Sequence, residues 1–358
     1  MLMNQHFKLA AIILITAVLF SSCLKKAPQG KSEFVFGTIC TLKIQQDGKN
    51  EVYRRVFSRL HAIENTFSLN KAGTVVDLIN LKAGIEPVSV QNEVIKVLER
   101  ALFFAELSDG IFDPSVGTLV KLWGIGTENP HIPSQEEIEE ALSLVNWRDI
   151  VVDAENSSVF LKKKGMMLDL GGIVKGYAAD ETLSILKSEG ISGALIDFGG
   201  NIVVYGEKSS KGLFGKTRPW KIGIQHPRKE RGEFVGSIDV ENSVLVTSGD
   251  YERFFDEGGR RYHHILSTRT GGPIETDVLS VTVIQSLLSE GEAYNTASMD
   301  ADALSTTLFA LGYAGGSSYL SQFAGLDAIF VLKNGEIRVT QAIRGRFNPK
   351  PDGTNTSR

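Results

Sequence analysis

The stretch from Asp169 to Asp180, reading Asp-Leu-Gly-Gly-Ile-Val-Lys-Gly-Tyr-Ala-Ala-Asp, constrains the fold of this chain more than any other. Leu168, Leu170 and Ile173 surround Asp169, which places a carboxylate inside an apolar strand end. Gly171, Gly172 and Gly176 let the backbone come close to a ligand before a helix begins near Tyr177. A glycine turn feeding a helix N-terminus presents free N–H groups to an anion, and Lys175 adds positive charge at the same point. Glycine turns before helices are common, so the turn is not by itself a phosphate site.

Around this stretch, helical and strand-like segments succeed each other irregularly. Val52, Val56, Leu60, Ile63 and Phe67 recur at helical spacing and predict a helix from Glu51 to Thr66. Val94, Leu98, Ala101, Leu102 and Ala105 mark a second, and Ser134 followed by Glu137 is a capping-box start for a third. A fourth runs from Tyr177 to Lys187, closed by Gly190. Strand-like runs are Phe34–Ile44, 151–161, 194–204, Trp220–Gln225, 235–240 and 279–284. Strands and helices do not alternate, so a doubly wound parallel sheet is disfavoured and the class is α+β.

The N-terminus departs from ordinary globular composition. Leu9–Phe20 is an apolar run interrupted only by Thr16, behind a short, weakly basic start; it is too short to span a bilayer but suited to a signal-peptide core. Ser21-Ser22-Cys23 then resembles the lipobox of bacterial lipoproteins, with Phe20 atypical at the third place before the cysteine. A lipidated Cys23 puts the mature protein outside the cytoplasm on a membrane leaflet. The polar run up to Lys31 is the tether. Cys40, the only other cysteine, lies among Phe36, Ile39 and Leu42 and reads as a buried inert thiol, with no disulfide expected. The net charge of −4 carries no basic stripe that would call for nucleic acid.

Asp302 and Thr306, four apart, share one face of a helix. A carboxylate beside a hydroxyl is a pair of hard oxygen ligands suited to Mg²⁺ rather than Zn²⁺. The same spacing serves a helix-start aspartate with a threonine bonded to its own backbone, and spacing alone does not choose between them. His263 and His264 on a strand point to opposite faces, so at most one serves a given site. Asp197-Phe198-Gly199-Gly200-Asn201 is another glycine turn within a strand pair, which reads first as a tight hairpin or a bulge. No Gly-x-Ser-x-Gly, Walker A or His-Glu-x-x-His pattern occurs, which removes the common hydrolase, nucleoside-triphosphatase and zincin readings.

These pieces stand in one order: Gly37-Thr38, Phe67-Ser68, Phe112 to Gly117, Trp123-Gly124, Asp169 to Asp180, Asp197 to Asn201, Thr247 to Tyr251, His264 to Gly271, and Ala301 to Thr306. In that order the chain resembles the ApbE family, the FAD:protein FMN transferases, many of them bacterial lipoproteins. The resemblance implies a signal peptide (1–22), a lipidated Cys23 with its tether (23–33), and one ApbE-like, T-fold-like α+β catalytic domain (34–342). A flexible tail (343–358) follows. It implies a Mg²⁺-dependent enzyme on the periplasmic side of the inner membrane that cleaves FAD at its pyrophosphate. FMN would pass to a threonine or serine hydroxyl of a redox protein, with release of AMP. By the same resemblance Asp302, Thr306 and the Gly172 carbonyl hold Mg²⁺, and Asp169 and Lys175 contact FAD. Phe36, Asn70, Ser115, Val116, Gly117 and Ile265 would line the flavin nucleotide pocket, with His264 near the phosphates as acid/base or anchor.

Two positions depart from the family pattern. The usual His-Ile-Ile-Asp-Pro-Arg-Thr-Gly appears here as His264-Ile265-Leu266-Ser267-Thr268-Arg269-Thr270-Gly271, without the aspartate and proline. Asn70 stands where many relatives carry a tyrosine that can stack on the nucleotide. Asparagine is smaller and leaves a roomier, wetter pocket, which favours water as acceptor and hydrolysis of FAD to FMN and AMP. A non-catalytic flavin-binding lipoprotein is the alternative of a different class.

Overall fold

The computed structural model describes residues 30–206, 208–209, 217–287 and 296–350. The apolar run, Cys23 and most of the tether lie outside the described residues. Eight strands form the main sheet: β1 (Lys31–Val35), β2 (Thr38–Ile44), β3 (Ala194–Phe198), β4 (Asn201–Tyr205), β5 (Ser243–Gly249), β6 (Val278–Ser286), β7 (Leu326–Leu332) and β8 (Ile337–Val339). They lie side by side in chain order, each antiparallel to the next. The other described elements are inserted between successive strands of this meander, except for the short segment ending in Phe347–Pro349 that follows the last one.

The run expected as one strand over Phe34–Ile44 is a hairpin. Its alternation continues across a two-residue turn in which Phe36 (φ 56°) and Gly37 (φ 72°) both adopt left-handed conformations. A primed turn of this kind matches the twist of the flanking strands. Glu64 pins it, accepting the Phe36 N–H at 2.7 Å. The runs at 151–161 and 194–204 are likewise hairpins, Ile150–Asp153 with Ser158–Leu161 and β3 with β4. Gly199 and Gly200 (φ 63° and 98°) turn the second. A Cβ on Gly199 would lie 2.4 Å from the Thr38 hydroxyl, so the two turns abut at one end of the sheet.

Seven α-helices are described: α1 (Asn50–Phe67), α2 (Val75–Leu81), α3 (Asn92–Leu107), α4 (Gly117–Trp123), α5 (Gln135–Leu142), α6 (Val174–Ser188) and α7 (Ala297–Leu320). The capping box of α5 forms with both of its hydrogen bonds. One sheet face carries the helices, with Leu42, Ile196, Val244, Val246, Val281 and Phe330 in the core they share. A three-stranded sheet of Trp220–Gln225, Phe234–Val240 and Phe347–Pro349 covers the other, over Val204, Leu245, Ile284 and Ile329. With both faces covered, every residue of β6 but Ser286 is buried.

Two boundaries differ from expectation. Lys31–Glu33, placed in the tether, belong to β1. The tail from Ile343 is structured as far as it is described: Ile343 and Phe347 are buried, and Phe347–Pro349 pair with Phe234–Val240. An aromatic plug for the second core outweighs the turn-forming composition of the surrounding residues.

Candidate functional site

The site is built where α6 meets α7. Gly176 allows the contact, because a Cβ there would lie 2.3 Å from the Ser298 carbonyl oxygen. Asp180, one turn along α6, accepts the Ser298 and Met299 N–H groups of α7 at 3.0 Å each. This buried cap satisfies donors that a helix start leaves unpaired. Burial pushes the Asp180 carboxyl up to about 7. Asp300 is held from outside by a bidentate pair with Arg100, both contacts 2.6 Å.

Asp302, 2% exposed, follows within the same helix turn and points back at α6. Its Oδ2 accepts the Gly176 N–H at 2.9 Å, while Oδ1 lies 3.6 Å from Lys175 Nζ. Lys175 instead donates to Asn201 Oδ1 at 2.8 Å. Because the Gly176 N–H is taken by Asp302, no backbone N–H among the described residues donates to the Gly172 carbonyl. A Cβ on Gly172 would lie 3.6 Å from the Thr306 hydroxyl. That hydroxyl is 3.4 Å from both the Ser248 hydroxyl and its own Asp302 carbonyl, a weak hold in each case.

Asp302 and a loosely held Thr306 hydroxyl thus lie one turn apart on α7, and that hydroxyl faces the Gly172 backbone, whose carbonyl has no backbone donor among the described residues. Among the described residues no group of three His, Cys, Asp or Glu could hold a metal ion. The donor set is all oxygen with a single charge, which fits a hard cation completing its shell with water or phosphate oxygens and fits zinc poorly.

The two histidines were expected on one strand, but only His263 is in it, the strand ending at that residue. His263 is buried, with Nε2 on the Ile274 carbonyl and its ring edge-on to Phe309. His264 lies beyond the strand end with Nδ1 3.2 Å from the Arg253 carbonyl, so Nδ1 carries the proton and Nε2 keeps its lone pair. Burial, then the charges of Arg253 and His263, hold the His264 ring well below the usual histidine range, with Lys175 acting in the same direction. Burial raises both Glu252 and Asp197; Arg231 opposes the rise at each, while at Glu252 Lys175 also opposes it and the Asp197 charge adds to it.

Asp169 accepts the Gly171 N–H and donates its own N–H to the Pro114 carbonyl, which sets it beside the turn holding Ser115, Val116 and Gly117. The Ser115 side chain is turned inward: its hydroxyl donates to Asp113 at 2.7 Å and accepts the Asn146 N–H at 2.8 Å. The turn therefore offers a ligand its backbone and Val116, not the Ser115 hydroxyl. Ile265 is buried in the main core, so its side chain packs inward. Asn70 is exposed in the loop after α1, whose last residue Phe67 packs edge-on against Tyr177 of α6. Phe36 is half-buried in the first turn. No hydrogen bond or ion pair connects Phe36, Asn70 or Ile265 to the Asp302 cluster among the described residues. Asn201, Ser248 and Arg253 join the site although sequence reasoning gave them no role. Asn201 and Ser248 stood in quoted motifs, but an asparagine after a glycine pair and a serine in a strand read first as structure.

The family model described as "ApbE family" matches residues 36–330. The chain belongs to the ApbE family. It is 36% identical over 327 residues to the FAD:protein FMN transferase of Treponema pallidum, covering 88% of each chain. It is also 36% identical over 299 residues to one from Klebsiella pneumoniae, covering 84% of this chain and 88% of the relative. The crystal structure of the Thermotoga maritima ApbE protein superposes with a TM-score of 0.76 at 34% identity, covering 89% of this chain and 98% of that one. The apo flavinyl transferase ApbE of Pseudomonas stutzeri gives 0.74 at 26% identity, covering 90% and 97%.

Proposed function

We propose that this protein is an FAD:protein FMN transferase that depends on Mg²⁺. The observation that carries the reading is the placing of Asp302 beside Lys175, with the Thr306 hydroxyl facing the Gly172 backbone, in a chain whose relatives bear that name. Gly172, Asp302 and Thr306 would hold the ion, which as a Lewis acid supplies charge neutralisation at phosphate oxygens. Lys175 supplies a mobile positive charge next to them, suited to the FAD pyrophosphate. Asp169 and the backbone of the turn at 115–117, with Val116, Phe36 and Asn70, would border the nucleotide.

In the transfer, the acceptor hydroxyl oxygen bonds to the phosphorus on the FMN side, and the bond from that phosphorus to the bridging oxygen breaks, so AMP leaves. The hydroxyl proton goes to Nε2 of His264, which is neutral at pH 7 because its ring is held below the usual range.

A second reading is hydrolysis of FAD to FMN and AMP, which the exposed Asn70 favours by leaving space for water. The apolar run Leu9–Phe20 and Cys23 support export, lipidation and a place on the periplasmic face of the inner membrane, next to membrane redox acceptors.

The test is incubation of the protein with FAD and Mg²⁺, with and without an acceptor, following FMN, AMP and covalent flavin. AMP release lost on adding EDTA and in Asp302→Ala is the expected result. AMP without acceptor identifies the hydrolase activity. Flavin bound but uncleaved in every case overturns both readings.

A further inference from the structure

Lys175 and Asp302 form an incomplete ion pair. Their closest atoms are 3.6 Å apart, too far for a hydrogen bond, although the carboxylate is almost fully buried and Oδ1 has no other recorded donor among the described residues. An ammonium left to itself beside a buried carboxylate closes on it, since a buried charge without a partner is costly. What holds Lys175 off is Asn201, whose Oδ1 accepts the Nζ–H at 2.8 Å.

The asparagine is itself fully buried, and among the described residues its Nδ2 has no hydrogen-bond partner. Turning the amide over would satisfy nothing, because it would aim an NH₂ at an ammonium that carries only donors. The orientation is thus dictated by Lys175, and the fold tolerates an orphaned buried donor to maintain it. Such a donor is destabilising and rare in native proteins, and it concentrates where function requires it.

We propose that Asn201 is a positioning residue that keeps the Lys175 ammonium from capping Asp302 Oδ1, and so keeps that oxygen open to a divalent cation. Ammonium and cation compete for one oxygen, because Oδ2 is already engaged by the Gly176 N–H. Asn201 biases the competition toward the cation and parks Lys175 where it can turn to an incoming phosphate. The inference rests on the reading that Asp302 and Thr306 hold a divalent cation.

The test is Mn²⁺ binding to the full chain, read by the loss of the free-ion electron paramagnetic resonance signal, with thermal melting alongside. Asn201→Ala should weaken Mn²⁺ binding about tenfold or more, as Lys175 closes on Asp302. Asn201→Asp, isosteric and still an acceptor for Lys175, should bind Mn²⁺ at least as tightly as the parent. Adding Lys175→Met to Asn201→Ala should restore binding, a rescue that a merely structural role for Asn201 does not produce. Unchanged binding in Asn201→Ala, or weakened binding that Lys175→Met fails to rescue, overturns the proposal. Parent protein whose Mn²⁺ binding survives Asp302→Ala overturns the cation site itself, and the two failures are thereby distinguished.

Discussion

Asp300 and Asp302 sit two residues apart on the same helix and live in opposite circumstances. Asp300 is closed: Arg100 grips both of its oxygens at 2.6 Å and Thr296 adds a third contact. Asp302 is open: one oxygen meets a backbone N–H, and the other faces an ammonium held just out of reach. Both carboxylates are buried, so burial does not separate them. Completeness of pairing does. A paired carboxylate holds elements together, while an unpaired one is a standing demand for a ligand, and α7 carries one of each within a single turn.

The contrast is most directly broken by exchanging the consequences of deleting each group. Asp302→Ala should remove AMP release by orders of magnitude while lowering stability by less than about 1 kcal/mol, since it deletes an incompletely paired charge. Asp300→Ala should do the reverse, lowering stability by about 3 kcal/mol because Arg100 is left unpaired, with cleavage largely retained at temperatures where the variant is folded. Denaturant unfolding beside the AMP assay reads both. If Asp302→Ala unfolds as readily as Asp300→Ala, the distinction between closed and open carboxylates is wrong.

A smaller effect should come from Asp180, the third carboxylate of the junction. Its folded-state value of about 7 stands above the ordinary 3.8, so the folded protein binds a proton more tightly than the unfolded chain. That contribution is fully present below pH 3.8 and is lost as pH rises toward and through about 7. Stability should therefore decline over this window in the parent and decline less in Asp180→Asn. Urea titrations near pH 5 and pH 8 measure the difference. A parent whose stability rises over this window, with Asp180→Asn following the same curve, would show that the cap titrates normally.

The smallest expected change in stability is at the exposed Asn70, where Asn70→Tyr should stay within about 0.5 kcal/mol of the parent. Its effect belongs to partition: less FMN lost to water for each FMN delivered to an acceptor. An unchanged ratio of free FMN to covalent flavin removes the pocket argument.

The helices were legible where an apolar stripe met solvent. α1 and α3 follow their 3.6-residue spacing to within a few residues, α5 is announced by its capping box, and α6 by the Gly190 that closes it. Strand pairs were not separable, because alternation runs straight through a two-residue turn and Phe36 occupies a left-handed conformation that its residue type does not advertise. α4 was missed because it is short and packs in a satellite cluster with Trp123 and Ile138. At the site, the sequence showed which residues have suitable chemistry, and the family order grouped them. Which of them are engaged elsewhere was not legible, as the inward Ser115 hydroxyl and the core-packed Ile265 show. Nor was the part of Asn201, which depends on one distance being 2.8 Å and another 3.6 Å.

The reach of the Asp180 cap carries a consequence in time. Its partners lie 118 and 119 residues further along the chain. At roughly 5–20 residues per second of synthesis, on the order of ten seconds separates the emergence of the carboxylate from that of the helix it caps. Through that interval the glycine turn and Lys175 exist without Asp302 or Thr306. A growing chain thus carries one half of the centre before the other, which comes only with α7.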